Sequence, residues 1–264
     1  SNYELNEKIF ECYANNNFRN LECIDNKFNK DVSVLPLSLT HLTFGWNFNQ
    51  DVSKLPHNLT NLTFGYYFNQ DVSKLPPFIT HLTFGVYFNQ SVSNLPPSLT
   101  HLTFGHYFNQ DISVLSLSLT NLTFGGKFNQ DISVLPPTLT YLTVGSGLMK
   151  ECNIFSNIKY LILNCNNIHI INSLPNSVAE LKLNVDFNLE INNLPTSIKK
   201  LVINKNSEYN MDLNCLPDFI EELHLNFNYK KRILNIPSKL KKIVCYRDYP
   251  YKDDFSMYDV ETYQ

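Results

Sequence analysis

Charged residues are scarce in this sequence. Only 17% of its 264 residues are Asp, Glu, Lys or Arg, and the formal net charge is −3. Between residues 28 and 147 the basic residues are Lys30, Lys54, Lys74 and Lys127, set against five aspartates. A surface so poor in cations does not neutralise a phosphate backbone, which excludes nucleic acid as the main partner. No run of about 18 apolar residues occurs, so no transmembrane helix and no membrane partner are expected. The stretch Ser1–Asn17 lacks a basic segment followed by an apolar one, so no signal peptide is visible. A start after a removed Met and a piece of a longer chain fit equally well.

Cysteine is also sparse. Cys12, Cys23, Cys152, Cys165, Cys215 and Cys245 form no C-x-x-C pair. They read as reduced, buried thiols of a cytoplasmic protein, with no disulfide framework and no zinc site. The Asn-x-Ser/Thr triplets at Asn58, Asn61, Asn89 and Asn121 carry little weight without a secretory signal. There is no P-loop, no G-x-G-x-x-G, no H-E-x-x-H and no unique Ser-His-Asp set. The expectation is therefore no enzyme and no cofactor.

What the sequence has in abundance is self-similarity. The segment "SLTHLTFGWNFNQDVSKLP" (Ser38–Pro56) returns as "NLTNLTFGYYFNQDVSKLP" (Asn58–Pro76), and similar wording follows from Phe78, Ser98, Ser118 and Thr138. Units begin at Phe28, Phe48, Phe68, Phe88, Phe108 and Phe128. Looser units follow from Leu148, Ile168, Phe187, Asn210 and Tyr229, one of them lengthened by the insertion Asn206–Tyr209. About twelve strand-like segments result.

The spacing L-x-x-L-x-L places Leu42 and Phe44 on one side of an extended segment and Thr43 on the other. Phe48, Val52 and Leu55 follow at spacings of four and three and can enter the same core. One coil cannot bury six such residues; its neighbours must cover its two sides. Strands of successive units then lie side by side as a parallel sheet. Pro56 and its equivalents stiffen the return, and Gly45 and its equivalents are expected to allow the bend that ends the strand. The column Asn49, Asn69, Asn89, Asn109 and Asn129 reads as a ladder bonding the backbone of the adjacent coil, with exposed turn asparagines as the rival.

The wording "LPxSLxxLxFGxxFNQ" resembles the leucine-rich repeat, and in particular the FNIP repeat, through pairs such as Phe48-Asn49, Leu55-Pro56 and Ile236-Pro237. Ser116 departs from the pattern by replacing Pro, and several units in 148–228 lose Phe-Asn. The resemblance implies an α/β-type repeat solenoid. Its coil is right-handed, with a parallel sheet on the concave face, irregular or short 3-10 returns and little regular helix. Such repeats are known mainly from social amoebae and from giant viruses of amoebae. Many viral members carry an F-box ahead of the repeats and are taken to be substrate receptors of ubiquitin ligases. What this implies here is a protein partner, with a ligase adaptor if an F-box lies upstream, and host-cell cytoplasm as the location if the protein is viral. A self-assembling structural or virion-associated protein, and hence a homo-oligomer, is the alternative reading.

The expected organisation is an N-terminal cap and degenerate first coil over 1–27, with Tyr3–Asn16 as an amphipathic helix, the tail of an F-box-like segment or a loop. Six regular repeats over 28–147, about five divergent coils over 148–247 and a cap or tail over 248–264 follow. The candidate partner-binding residues lie in columns that drift. They are Trp46, Tyr66, Tyr67, Tyr87, His106 and Tyr107 just past the strands, where exposed aromatics act as interface anchors. His41, His81, His101 and Tyr141 join them on the outer strand face. A metal pair at His81 and His101 is a distant alternative, since no third ligand accompanies it. Ice binding by the threonine column Thr43–Thr143 is another. Asp31, Asp51, Asp71, Asp111 and Asp131 are expected to accept hydrogen bonds within their turns from the Ser two places on, in preference to holding calcium. Glu180, Glu221, Glu222 and the clusters Lys230–Arg232 and Lys239–Lys242 read as solvated charge.

Overall fold

A computed structural model of the chain describes residues 3–4, 19–22, 26–33, 35–154 and 157–264. They fall into two units, the first made of residues 1–130 with 134–139 and the second of 131–133 with 140–264. Both are parallel repeat coils of the leucine-rich-repeat type.

In the first unit the strands are β1 (Tyr3–Glu4), β2 (Asn20–Glu22), β3 (His41–Thr43), β4 (Asn61–Thr63), β5 (His81–Thr83), β6 (His101–Thr103) and β7 (Asn121–Thr123). Each pairs in parallel with the next, so that Leu21, Leu42, Leu62, Leu82, Leu102 and Leu122 stand in one row. Tyr3–Glu4, at the start of the segment expected as a helix, an F-box-like tail or a loop, belongs to a strand, because pairing with β2 supplies its backbone with partners. Most of the remaining cap, with Cys12, Phe18 and Cys23, lies outside the described residues.

The six inward positions of one coil, Leu39, Leu42, Phe44, Phe48, Val52 and Leu55, are all buried. Phenylalanine dominates this core. Phe48, Phe68, Phe88 and Phe108 stack at 6.1 Å from coil to coil, and Phe84 and Phe88 stack at 3.7 Å within one coil. Burying each such ring is worth roughly 1.5–3 kcal/mol, but only while the next coil is in place.

The asparagine ladder is present. The backbone N–H of Asn69, Asn89, Asn109 and Asn129 each donates to the side-chain oxygen of the asparagine one coil earlier, at 2.8–2.9 Å. Gln70, Gln90, Gln110 and Gln130 donate to the same oxygens. The glycine column, however, does not supply an unusual bend, since no described glycine has positive φ. It supplies close approach. A Cβ on Gly85 would stand 1.8 Å from the carbonyl oxygen of Gly65, and one on Gly105 1.9 Å from that of Gly85.

The second unit holds β8 (Tyr141–Val144), β9 (Tyr160–Leu163), β10 (Glu180–Leu183), β11 (Lys200–Ile203), β12 (Glu222–His224), β13 (Lys242–Tyr246) and β14 (Asp259–Tyr263). These also pair in parallel in chain order. One helical turn, α1 (Ile168–Asn172), is capped by Asn167, whose side-chain oxygen accepts from the N–H of His169 and Ile170. Past Arg247 the chain makes a 3-10 turn at Lys252–Phe255 and then adds β14 to the sheet. Phe187, Tyr209, Tyr229 and Tyr249 are all buried, and their rings meet at 6.1 Å in the pairs Phe187–Tyr209 and Tyr229–Tyr249.

Cys152, Cys165 and Cys245 are buried free thiols, and burial pushes the Cys165 thiol up to about 11. Cys215 differs from expectation: it lies in the return before Leu216, faces away from the core and is exposed. No helix among the described residues is long and apolar enough to cross a membrane.

Candidate functional site

The aromatic column of the first unit begins where each strand ends. The loop there is held to its neighbour by backbone bonds: Tyr67 N–H to Trp46 O at 2.9 Å, Tyr87 N–H to Tyr66 O at 3.0 Å and Tyr107 N–H to Val86 O at 2.9 Å. The inter-coil spacing then brings the rings into contact. Trp46 stacks on Tyr66 at 5.4 Å, Tyr67 on Tyr87 at 5.4 Å and Tyr87 on Tyr107 at 4.9 Å. Tyr66 meets Tyr67 and Tyr87 edge to face, and His106 meets Tyr107 the same way. Yet Trp46 is 60% exposed, and Tyr67, Tyr87 and Tyr107 are 40–48% exposed.

This geometry constrains what can bind. The faces of Tyr87 are covered by Tyr67 and Tyr107, so this ring shows solvent its edge and hydroxyl, whereas Trp46, stacked on Tyr66, is the most exposed ring of the column. Sugars and nucleobases need open ring faces to stack on; ring edges with hydroxyls suit a protein surface. Stacking also fixes the rotamers beforehand, which lowers the entropy cost of binding.

His41, His81 and His101 lie on the outer face of β3, β5 and β6. Each Nδ1 is 2.9 Å from the hydroxyl of the preceding threonine, Thr40, Thr80 or Thr100. Those hydroxyls also donate to the carbonyl one coil back: Thr80 to Thr60 O at 3.2 Å and Thr100 to Thr80 O at 3.1 Å. A hydroxyl has one proton, so the imidazole must be the donor in the first contact, leaving Nε2 as the free acceptor. At the asparagine positions the threonine hydroxyl lies at the same distance from a side-chain oxygen, Thr60 Oγ1 donating to Asn61 Oδ1 and Thr120 Oγ1 to Asn121 Oδ1, each at 2.9 Å. His and Asn thus share this column because each sets a polar atom 2.9 Å from the preceding threonine hydroxyl.

His81 and His101 stack at 4.2 Å with planes 12° apart. Burial, and then the neighbouring His81 charge, hold His101 below its ordinary 6.5. Parallel rings aim their free lone pairs side by side and do not converge on one ion. No group of three or more potential metal ligands occurs among the described residues. Tyr141 lies in the second unit, its ring 6.4 Å from Tyr160.

The aspartates occupy turns. Asp51 accepts from Ser53 N–H at 2.9 Å and Ser53 Oγ at 2.7 Å, and Asp71 and Asp111 repeat the pattern with Ser73 and Ser113. These bonds hold the carboxylates below their usual 3.8.

Sequence reasoning missed the charge ladders of the second unit. Glu180, Lys200, Glu222, Lys242 and Asp259 stand in register on β10–β14. Lys200 pairs with Glu222 at 3.4 Å and Lys242 with Glu261 at 2.6 Å. Beside them Glu221 bridges Lys199 at 3.5 Å and Lys241 at 2.5 Å, and Arg232 pairs with Asp254 at 2.8 Å. Glu221, Glu222, Lys241, Lys242 and Arg232 are therefore paired across coils and not simply solvated, because coil stacking sets opposite charges one strand apart. A signal was available: Lys199-Lys200, Glu221-Glu222 and Lys241-Lys242 alternate in sign with the repeat.

The FNIP Repeat family profile matches residues 71–106, 88–117, 108–147, 150–186 and 166–206, together half of the chain. This chain belongs to the FNIP repeat family. Among solved structures, this FNIP coil is similar to CroV588, a giant-virus protein described as a novel circular leucine-rich-repeat structure. Identity is 33% with a TM-score of 0.53, covering 86% of this chain and 43% of that one. The chain thus spans less than half the length of that relative. The functional domain of InlJ from Listeria monocytogenes, described as including a cysteine ladder, is 15% identical with a TM-score of 0.45, covering 87% of this chain and 63% of that one. No curated protein matches the chain.

Proposed function

We propose that the chain is a non-enzymatic protein-interaction module whose partner docks on the aromatic edge of the first unit. Trp46, Tyr66, Tyr67, Tyr87, His106 and Tyr107 form the centre of that surface. His41, His81 and His101 form the neighbouring strand-face column, and Tyr141 is the corresponding residue of the second unit. The observation that carries the reading is the row of exposed rings locked by their own stacking. Replacing Trp46, Tyr66, Tyr67, Tyr87 and Tyr107 by Ser should abolish capture of the partner while the circular dichroism spectrum is kept. Capture retained by the folded variant would sink the assignment.

The specific version is substrate selection for a ubiquitin ligase in the cytoplasm. Its support is family membership alone, through the F-box that many viral FNIP proteins carry. Recovery of a ligase adaptor with the protein from host-cell extract would support it, and recovery of none would remove it. A second reading, a self-assembling structural protein, is favoured by one observation: a relative 33% identical is described as circular, and this chain spans 43% of it. Light scattering separates the two, since self-assembly requires a mass above that of one chain.

A further inference from the structure

A coil built from copies of itself leaves little room for a pocket. One occurs in the second unit, where the copying fails. A cavity of about 390 Å³ lies at the ends of β10–β13, beside the loop that carries the insertion after Ile203. Its floor is the outward row Lys182, Val202, His224 and Val244, in register across four strands. In the first unit this row is threonine in every strand from β3 to β7, so its side chains are of one length. Here short valines alternate with long side chains, which opens a depression. Tyr263 closes one side, its hydroxyl donating to Leu225 O at 2.8 Å.

The polar groups of the lining divide into satisfied and free. His224 Nε2 is 2.6 Å from Glu222, Asn204 donates to Asn184, and Tyr263 is engaged as above. Lys182, Lys205 and the Asn206 side chain have no partner among the described residues, and the lining contains no carboxylate. Elsewhere on these strands the lysines are paired: Lys200 with Glu222 and Lys242 with Glu261. The nearest acids on the same face are already engaged, except Glu180, two residues before Lys182 on β10.

We infer that this cavity seats an acidic side chain from an extended segment of a partner protein. The carboxylate sits between the Lys182 and Lys205 ammonium groups, and the methylenes rest on Val202. The three free polar groups belong to side chains that reach solvent, which suits a side chain clamped from outside better than an engulfed metabolite. The inference rests on the reading of the chain as a protein-binding coil, but on different residues, so lysine variants leave the aromatic edge intact and either can fail alone.

The test is methyl NMR of the full chain titrated with the peptide acetyl-Ser-Glu-Val-Glu-Leu-Ser-amide. Saturable shifts are expected at Val202, Leu225 and Val244. They should vanish with the Gln-for-Glu peptide. Lys182→Gln and Lys205→Gln should each weaken binding roughly threefold and together about tenfold. Lys230→Gln, in the return after Asn228, should change nothing. Absence of saturable shifts would overturn the inference. So would an equal response to inorganic phosphate or succinate, which would make this a simple anion site, or an equal effect of Lys230→Gln, which would mean diffuse charge.

Discussion

In the first unit glycine follows the strand pattern from β3 to β7, and a Cβ on Gly65, Gly85, Gly105 or Gly125 would stand 1.8–2.1 Å from the carbonyl oxygen of the coil before it. In the second unit asparagine fills the same place at Asn164, Asn184, Asn204 and Asn226. Asn204 donates to Asn184, and Asn226 donates to Ser207 O at 2.7 Å. One coil type thus closes its strand ends in two ways, by removing the side chain or by bonding it. The first way brings backbones together and lets the following residues stack as rings. The second comes with charge ladders, a lengthened loop and a cavity. Uniform repetition makes a regular edge; broken repetition opens the strand face between Lys182 and Val244.

The comparison can be broken at its tightest point. Gly85→Ala forces a methyl into the Gly65 carbonyl and should cost about 3 kcal/mol or more, read as a lower urea midpoint. Asn184→Ala in the second unit removes one side-chain acceptor and should cost only about 1 kcal/mol. Equal losses would mean that the two closures are the same.

The ladder gives the next effect. Asn89→Ala strips the acceptor from the Asn109 N–H and one of the two acceptors from Gln110, and should cost about 1–3 kcal/mol, with faster hydrogen exchange at Asn109. Tyr209→Phe should act in the opposite direction. Tyr209 and Tyr229 replace the phenylalanine of the first unit, and their buried hydroxyls have no partner among the described residues. Removing the Tyr209 hydroxyl should raise stability by about 1 kcal/mol in the same unfolding experiment.

The smallest effect is a pH dependence confined to the histidine stack. His101 binds a proton less readily folded than unfolded. Stability from this source is full above about pH 6.5 and falls as the pH drops through that value, because the unfolded chain takes up the proton first. His81→Asn should flatten the slope of the melting temperature between pH 7 and 5, since the column already accepts Asn at positions 61 and 121.

Much of this was legible in the sequence because a column repeats its reason along with its letter. Leu42, Phe44 and Phe48 recur since each meets its own copy, and Asn49 and Asp51 recur since each bonds a fixed backbone group. The glycine column was legible as a column but misread as a bend. Its cause is a distance between coils, which no single coil contains. Strand β14 escaped notice because Asp259–Tyr263 matches only Val260 to the apolar spacing, its remaining support coming from register with β13. The cavity was invisible because it depends on short and long side chains meeting across strands about twenty residues apart. The exposed aromatics were found by their drift, but their mutual stacking, which covers both faces of Tyr87, required coordinates.

Two adjacent residues test the central claim, that inward columns are fixed by their copies while the outer edge is free to serve a partner. Phe88 is fully buried between Phe68 and Phe108, and Tyr87 is 40% exposed between Tyr67 and Tyr107. Urea unfolding of Phe88→Ala and Tyr87→Ala compares them directly. Phe88→Ala should lose about 3–5 kcal/mol and Tyr87→Ala about 1 kcal/mol or less. Equal losses would contradict the account, since the edge rings would then be part of the scaffold.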